Sequence, residues 1–349
     1  MNIYIWPIFF LLGFFVACNQ QQESINYFNE VRHIIEYDSL YSDKNDEVVG
    51  IMSLDKYDKY LIGYNRRIAD YFFSTYDIED GVYLGSWGRR GQGPDEFIDV
   101  GRIAIVDTQF VFIDGAKKEI IYVPIKHVLN KEESLNIRRE SFPYTLDFRP
   151  FDIEIINDYK IAIGAFKDSR FGVLDAENNI ISCSSDYPFK YEEISGIFRG
   201  ATFQSVIKSN SKQSKFVIST YQSDIFEIYQ ITDAGIERIY LSPFNHIPKI
   251  RPTPGRNSGY SIDRNKSIGG IENMAVTDDY IYLIYTSKNS AESSDSLNEI
   301  LCYNWNGEKI RKYILPFPII TNSLCVDNEY IYGTQDHESE AVIYRFKMN

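Results

Sequence analysis

The densest cluster of residues that could bind a ligand lies in the stretch Gly85-Ser-Trp-Gly-Arg-Arg-Gly-Gln-Gly-Pro-Asp-Glu-Phe97. Two adjacent arginines stand among four glycines, and the guanidinium group is well suited to bind an anion. Successive backbone N–H groups in a glycine-rich turn can bind anions as well. The stretch lacks the Lys-Ser/Thr ending of a P-loop, and no helical pattern follows it. The candidate binding residues are Arg89, Arg90, Gln92, Asp95 and Glu96.

The same stretch has a structural interpretation, which we favour. Glycines and a proline at this density interrupt regular structure, and apolar runs flank them, from Val82 to Trp87 and from Ile103 to Val106. A rigid connection between two strands explains both features. The arginines would then pair with neighbouring carboxylates, such as those of Asp95 and Glu96, in surface ion pairs of little energetic weight. Both interpretations stay open at this point.

A second candidate binding segment spans residues 245–267, which are rich in Pro, Gly, Arg and Asn. It is a locally basic segment with an aromatic residue, and long loops on a rigid scaffold often form binding surfaces. The alternative is a flexible loop without a ligand. The candidate residues of this insertion are Arg251, Arg256, Tyr260 and Arg264.

The sequence contains no recognisable motif for catalysis or metal binding. Its four histidines are isolated, and neither a His-Glu-x-x-His sequence, a Gly-x-Ser-x-Gly sequence nor an EF-hand loop occurs. Cys183, Cys302 and Cys325 lack Cys-x-x-Cys spacing, so we expect free, buried thiols rather than a zinc site or disulfides. The sequence therefore predicts no catalytic residue and no cofactor.

Composition narrows the fold class and the classes of partner. The 349-residue chain has a net charge of −13, which argues against binding to nucleic acid or to an anionic membrane surface. Aromatic residues make up 15% of the chain, with 27 Tyr and 23 Phe, and this favours strands over helices.

The first residues resemble a bacterial lipoprotein signal. Ile3 to Val16 is an apolar run with the length of a signal-peptide core rather than a membrane span. It leads into Phe15-Val-Ala-Cys18, which looks like a lipoprotein cleavage box. We expect Cys18 to be the lipidated N-terminus, residues 19–30 to form a polar tether and residues 31–349 to form one domain. The alternative is an ordinary signal peptide with an incidental cysteine.

A repeated unit runs through the rest of the chain. A polar corner followed by a strand rich in Tyr, Ile and Val recurs about every fifty residues, which with four short strands per repeat predicts an all-β, six-bladed β-propeller. Asp80-Gly81, Ala234-Gly235 and Asn306-Gly307 each separate two apolar runs, as tight hairpins require. The corners begin at Asp58, Asp107, Asp158, Ser214, Asp279 and Asn328.

The two ends of the domain are predicted to close the ring. The last unit has three strand-like runs before the chain stops, where the other units have four. The unpaired segment Val31–Tyr37 can supply the missing strand, so that an N-terminal strand pairs with the C-terminal blade. Closure of this kind removes the unpaired strand edges that promote aggregation.

The motif Gly88-Arg-Arg-Gly-Gln-Gly-Pro-Asp-Glu-Phe97 resembles the Gly-x-x-Gly-x-Gly-Pro-x-Glu-Phe signature of TolB-like six-bladed propeller lipoproteins from Bacteroides-type bacteria. Residues Phe198–Tyr229 look like the fourth blade of the same family. The resemblance implies the propeller fold and an extracytoplasmic location. It implies no reaction, and it provides no catalytic residue.

Taken with the absence of catalytic motifs, these features predict a binding or scaffold module anchored by lipid to the cell envelope, at the outer membrane. Its expected partner is a protein, a small molecule or a glycan of the envelope, and the membrane is contacted only through the anchor. The alternative is a calcium-dependent propeller hydrolase or lyase. Such a site is assembled from several blades in the central channel, so sequence motifs do not reveal it.

Overall fold

The structure is a computed structural model. The predicted signal peptide with Cys18 lies outside the described residues, and so does Arg256. The structure describes residues 24–43, 51–65, 70–132, 134–145, 147–167, 169–184, 187–189, 194, 197–253, 259–293, 296–337 and 340–348.

Two N-terminal strands precede the first three blades, and each of these blades is a four-stranded sheet with its strands in sequence order. The N-terminal strands are β1 (Val31–His33) and β2 (Tyr37–Asp43). Blade 1 contains β3 (Ile51–Tyr57), β4 (Tyr60–Asn65), β5 (Tyr71–Asp77) and β6 (Val82–Arg89). Blade 2 contains β7 (Ala104–Val106), β8 (Gln109–Asp114), β9 (Glu119–Pro124) and β10 (Arg138–Ser141). Blade 3 contains β11 (Phe148–Ile156), β12 (Tyr159–Phe166), β13 (Phe171–Leu174) and β14 (Ile180–Ser184).

The C-terminal half adds three blades and a hairpin between blades 4 and 5. Blade 4 contains β15 (Ser205–Asn210), β16 (Lys215–Thr220), β17 (Phe226–Thr232) and β18 (Gly235–Leu241). The hairpin contains β19 (Ile250–Thr253) and β20 (Gly259–Ile262). Blade 5 contains β21 (Ile268–Val276), β22 (Tyr280–Asn289), β23 (Ser296–Asn304) and β24 (Lys309–Ile320). Blade 6 contains β25 (Cys325–Val326), β26 (Tyr330–His337) and β27 (Glu340–Lys347).

The blades form the predicted six-bladed ring around a central channel. The first strand of each blade is innermost, and these strands contact one another in order from β7 through β11, β15, β21 and β25 to β3. Large aromatic side chains fill the space between neighbouring blades. The Phe73 ring, for example, lies 4.3 Å from the Trp87 ring in its own blade and 5.3 Å from the Phe112 ring in blade 2.

An N-terminal strand closes the ring, as predicted, but its residues differ from those expected. β2 pairs antiparallel with β27 as the outermost strand of blade 6, so the closing strand is Tyr37–Asp43 rather than Val31–Tyr37. β1 instead adds a parallel fifth strand to blade 5, beside β24. The sequence does not mark β2 as a strand, because most of its side chains face solvent and it therefore lacks an apolar run. On its packed side the Tyr41 ring lies 5.2 Å from the Tyr76 ring in blade 1.

The predicted corners are tight turns between the first and second strands of the blades. In blades 1 to 4 each turn contains a non-glycine residue with a left-handed backbone, for which Asp and Asn are the most tolerant types. In blade 3 this residue is Asn157, one position before the predicted corner. The four residues are Asp58, Asp107, Asn157 and Ser214, with φ of 51°, 52°, 54° and 51°.

Packed structure begins before residue 31, where the tether was expected to end. Ile25 is 1% exposed and Phe28 is 8% exposed. The Phe28 ring lies 5.3 Å from the Tyr303 ring of blade 5, and the Tyr303 hydroxyl donates a hydrogen bond to the Ile25 carbonyl at 2.6 Å. Residues 24–30 are therefore docked on blade 5 in this structure.

Helices are short in the described part of the chain. Helix α1 (Ile125–Leu129) follows β9, and α2 (Ile197–Thr202) lies in the connection between blades 3 and 4. Single 3₁₀ turns occur at Ser211–Gln213 and Thr321–Ser323. None of these described helices has the length and apolarity that crossing a membrane requires.

Candidate functional site

The glycine-rich stretch is the connection from blade 1 to blade 2, and its own backbone holds it closed. The Gly91 N–H donates to the Phe97 carbonyl, and the Phe97 N–H donates to the Arg89 carbonyl, both at 2.9 Å. The Gly93 N–H donates at 2.8 Å to a carboxylate oxygen of Glu96. Three of the amides that could cradle an anion, those of Gly91, Gly93 and Phe97, are therefore occupied, one of them by a carboxylate of the loop itself.

The two arginines of this connection have different surroundings. The Arg89 side chain is 68% exposed, and its Nε lies 3.6 Å from Glu96 Oε1, the pairing that the structural interpretation expected. Arg90 places its guanidinium 3.7 Å from the Phe72 ring centroid and donates to the Asn65 carbonyl at 3.0 Å. Such a stacked cation packs as part of the fold. Gln92 and Asp95, the remaining candidates, are exposed.

Blade 2 supplies two cations to the carbonyl groups of the same connection. The Lys117 ammonium donates to the Glu96 carbonyl at 2.7 Å and to the Gly93 carbonyl at 3.1 Å. The Arg139 guanidinium donates to the Pro94 carbonyl at 2.7 Å. The connection thus presents acceptors to protein cations, and its geometry suits a rigid link between blades.

A cavity with a volume of about 1010 Å³ lies at the mouth of the central channel. Its wall comes from the connections between blades and from the adjacent inner strands. None of residues 89–96 lines it, although Asp99 to Arg102 of the same connection do. The lining residues include Arg102, Phe151, Asp152, Tyr221, Tyr260 and Glu272.

The insertion contributes to this cavity through its second strand. Tyr260 and Arg264 line the cavity, and the Arg264 guanidinium donates to the Ser290 carbonyl at 3.1 Å. Arg251, on the first strand of the hairpin, is exposed and does not line the cavity. Of the predicted site residues in the described chain, only these two from the insertion therefore face the central cavity.

A hydrogen-bonded group crosses the channel and forms the floor of the cavity. Arg102, which leads into blade 2, donates to the Tyr221 hydroxyl of blade 4 at 2.5 Å and to Oδ1 of Asn273 in blade 5 at 2.8 Å. Beyond this floor the Lys208 ammonium of blade 4 donates to Asp55 of blade 1 at 3.1 Å. Blades 2 and 5, and blades 1 and 4, are opposite in a ring of six, so both contacts span the channel.

Buried carboxyl groups next to the floor have shifted pKa values. Burial raises the pKa of Asp152 to about 6, against the opposing charges of Arg102 and Lys208. Burial also raises the pKa of Glu154 to about 7, although Lys208 and a hydrogen bond from the Ser209 hydroxyl at 2.6 Å oppose it. Both shifts follow from the cost of an ionised carboxylate in a poorly hydrated site.

Sequence reasoning did not identify the residues of the floor. A signal was present, since Asp152 and Glu154 interrupt the apolar strand β11 and Lys208 interrupts β15. A charged residue in an inner strand of a propeller faces the channel when its neighbours face the blade interfaces. No sequence motif marks these residues, because they are single and the two strands lie far apart in sequence.

The three cysteines of the propeller differ in exposure. Cys302 and Cys325 are buried free thiols as expected, whereas Cys183 is exposed, because it lies on the outermost strand of blade 3. Among the described residues, no group of three or more His, Cys, Asp or Glu side chains is arranged to hold a metal ion.

Comparison with known proteins gives a family and a fold. The family described as TolB-like 6-blade propeller-like matches residues 48–329. A crystal structure of a DUF4221 family member from Bacteroides vulgatus is similar, with a TM-score of 0.59 and 13% identity, over 90% of this chain and 97% of that one. A protein described as exported, from Bacteroides fragilis, matches with a TM-score of 0.59 and 14% identity, over 92% and 99% of the two chains. No protein with a curated description matches the sequence.

Proposed function

The chain belongs to the TolB-like family of six-bladed propellers, and we propose that it is a lipid-anchored binding protein of the cell envelope whose ligand occupies the central cavity. The observation that carries this proposal is a cavity of about 1010 Å³ with a floor built across the channel. Small-molecule sites in proteins are concave and measure about 300–1000 Å³. The cavity is therefore a cup large enough for a ligand of several connected groups.

The wall of the cup favours a polar ligand with apolar faces, such as a glycan or a small metabolite. Phe151 is 45% exposed although it is a large apolar side chain, and it lines the cavity together with Tyr260. Two residues with amide side chains, Gln204 and Gln222, also line the cavity. Aromatic faces combined with a few placed polar groups are characteristic of ligand-binding pockets.

Narrowing the mouth of the cup tests the site directly. Ala116 is exposed at the cavity rim, so Ala116→Trp adds an indole there without entering the core. The matched control is Lys212→Trp, at an exposed turn that does not line the cavity. Envelope extract is incubated with each purified protein, and native mass spectrometry detects bound small molecules. We expect an adduct on the wild type and the control that is lost in Ala116→Trp; an equal adduct on all three proteins would rule the cavity out.

Anchoring is supported by the apolar N-terminal run before Cys18 and by the similarity to a protein described as exported. We expect Cys18→Ala to move the protein from the detergent phase to the aqueous phase in a phase-separation assay, because the acyl chains that hold it are absent. Cys183→Ala is the control and keeps the wild-type partitioning. Equal partitioning of the Cys18 variant and the wild type would refute the lipid anchor.

A further inference from the structure

We propose that the ligand of the central cavity carries a carboxylate group, which Arg102 binds on the cavity floor with help from the Tyr221 hydroxyl. The inference rests on the proposed function, because it assigns the chemistry of the ligand in that same cavity. Its basis is that hydrogen-bond donors of Arg102 and Tyr221 have no acceptor among the described residues.

Arg102 has more donors than partners. Of the five N–H groups of a guanidinium, one bonds to the Tyr221 hydroxyl and one to Oδ1 of Asn273. Both of these acceptors are neutral. Among the described residues, no carboxylate lies within ion-pair distance of Arg102, in contrast to Lys208, which pairs with Asp55 at 3.1 Å. Arg102, a half-buried residue at the bottom of the cavity, thus keeps three N–H groups for another partner, although the charges of Asp152 and Asp55 act on it from beyond ion-pair distance.

The floor is rigid because its own partners are held in place. Asn273 is 2% exposed, and its amide nitrogen donates to the carbonyls of Thr321 and Asn322 at 3.1 and 3.0 Å. These two bonds leave the amide oxygen pointing at Arg102. The ligand therefore meets a guanidinium that is already oriented, which lowers the entropic cost of binding.

Tyr221 adds a further donor at the same place. Its oxygen accepts the hydrogen bond from Arg102 at 2.5 Å, and a hydroxyl that accepts still has its own proton to donate. Within the described chain that proton has no acceptor. The floor therefore offers N–H and O–H donors together, which suits an anionic oxygen group.

The remaining charges of the cavity favour a carboxylate over a phosphate. Asp99, Asp152 and Glu272 line the same cavity, so a dianion would be repelled more strongly than a monoanion. A planar carboxylate also matches the fork of a guanidinium with two parallel hydrogen bonds. A volume of about 1010 Å³ leaves room for the rest of a larger acid, either an acidic sugar or an acylated amino acid.

Matched acid and neutral probes test the inference with the full chain. Isothermal titration at pH 7.5, where inorganic phosphate is mainly the dianion, compares D-glucuronate with D-glucose, and N-acetylglycine with N-acetylglycinamide. We expect at least one acid to bind tenfold or more tightly than its neutral partner, and the pair that shows this preference identifies the source of the carboxylate. Inorganic phosphate is the competing anion, and tighter binding of phosphate than of either acid would overturn the inference.

Variants separate a binding role of Arg102 from a purely structural one. We expect Arg102→Gln to abolish the preference for the acid, Arg102→Lys to retain part of it, and Tyr221→Phe, which keeps the ring in place, to weaken acid binding several-fold. Arg138→Gln, on the outer strand of blade 2, is the control and keeps the wild-type preference. Melting temperatures are recorded for every variant, and the preference is read only from folded protein.

The outcomes also distinguish this inference from the proposed function. A neutral probe that binds the wild type and Arg102→Gln equally, but not Ala116→Trp, would overturn the carboxylate assignment while the cavity remained the binding site. An unaltered acid preference in Arg102→Gln and Tyr221→Phe would place the acid elsewhere and overturn the inference as well.

Discussion

Glu154→Gln tests the electrostatic description of the channel, because it replaces a buried carboxyl group by a neutral side chain of the same shape. Glu154 is 8% exposed on the inner strand β11, and its carboxylate accepts a hydrogen bond from the Ser209 hydroxyl at 2.6 Å. A glutamine oxygen can accept the same bond. The substitution therefore removes the charge and leaves the packing nearly unchanged.

The expected effect follows from the raised pKa of Glu154, which burial moves to about 7. In an unfolded chain the pKa of Glu is about 4.3, so between these two values the folded protein binds more protons than the unfolded chain. Stability must then fall as pH rises through this window, and the whole penalty is present above the folded-state pKa. Since each pKa unit corresponds to about 1.4 kcal/mol, the ionised carboxylate costs on the order of 4 kcal/mol at pH 8.

Urea denaturation followed by tryptophan fluorescence at several pH values from 5 to 8.5 measures this effect. We expect the unfolding free energy of the wild type to decline across the range, and that of Glu154→Gln to decline less and to exceed the wild-type value at pH 8. Glu237→Gln, on the exposed outer strand β18, is the control and should follow the wild type. Parallel curves for Glu154→Gln and the wild type would refute the account of a carboxyl group that burial keeps protonated.

Three further predictions concern the blades themselves. Gly88→Ala should lower the free energy of unfolding by about 2 kcal/mol or more, because Gly88 has a φ of 70°, which strains a non-glycine residue, and the new Cβ would lie only 2.7 Å from the Phe73 ring. Arg89→Ala changes an exposed side chain and should leave the free energy of unfolding within about 0.5 kcal/mol of the wild-type value. Equal stability of the two variants in thermal melts would contradict the structural role of the connection. Replacing Tyr37–Asp43 by a Gly/Ser segment of equal length should lower the melting temperature, since it leaves the edge of blade 6 unpaired; an unchanged value would exclude this strand as the closure. In a Cys18→Ala background, a thiol reagent should label Cys183 in the native protein and the two buried cysteines only after denaturation; native labelling of all three would contradict the described burial.

The fold could be predicted because the blades repeat the same local pattern of turn residues and apolar strands. Residues such as Asp58 and Asp107 tolerate the left-handed turn between the first and second strands, and they recur at the spacing of one blade. The closing strand was located less well. Tyr37–Asp43 has polar residues on its solvent side, so it lacks the apolar run by which the inner strands were recognised.

The site was much less predictable, because it exists only where distant parts of the chain meet. Arg102, Tyr221 and Asn273 are single residues in three different blades, and no local pattern marks any of them as a partner of the others. The arginines that did stand out, Arg89 and Arg90, do so because a connection between blades needs many glycines around them. The dense glycines of this stretch therefore reflect the backbone conformation of the connection rather than a ligand site.

The contacts across the channel bear both on the stability of the propeller and on ligand binding in the cavity. Arg102 and Lys208 each reach across the channel, but only Lys208 ends on a carboxylate. The Lys208 contact joins two opposite charges, as a bond that holds opposite blades together can. Arg102 ends on a hydroxyl and an amide instead, which fix the guanidinium without neutralising it. Asp152 and Asp55 act on this cation from beyond ion-pair distance, and a ligand carboxylate at the bottom of the cavity would add a direct ion pair.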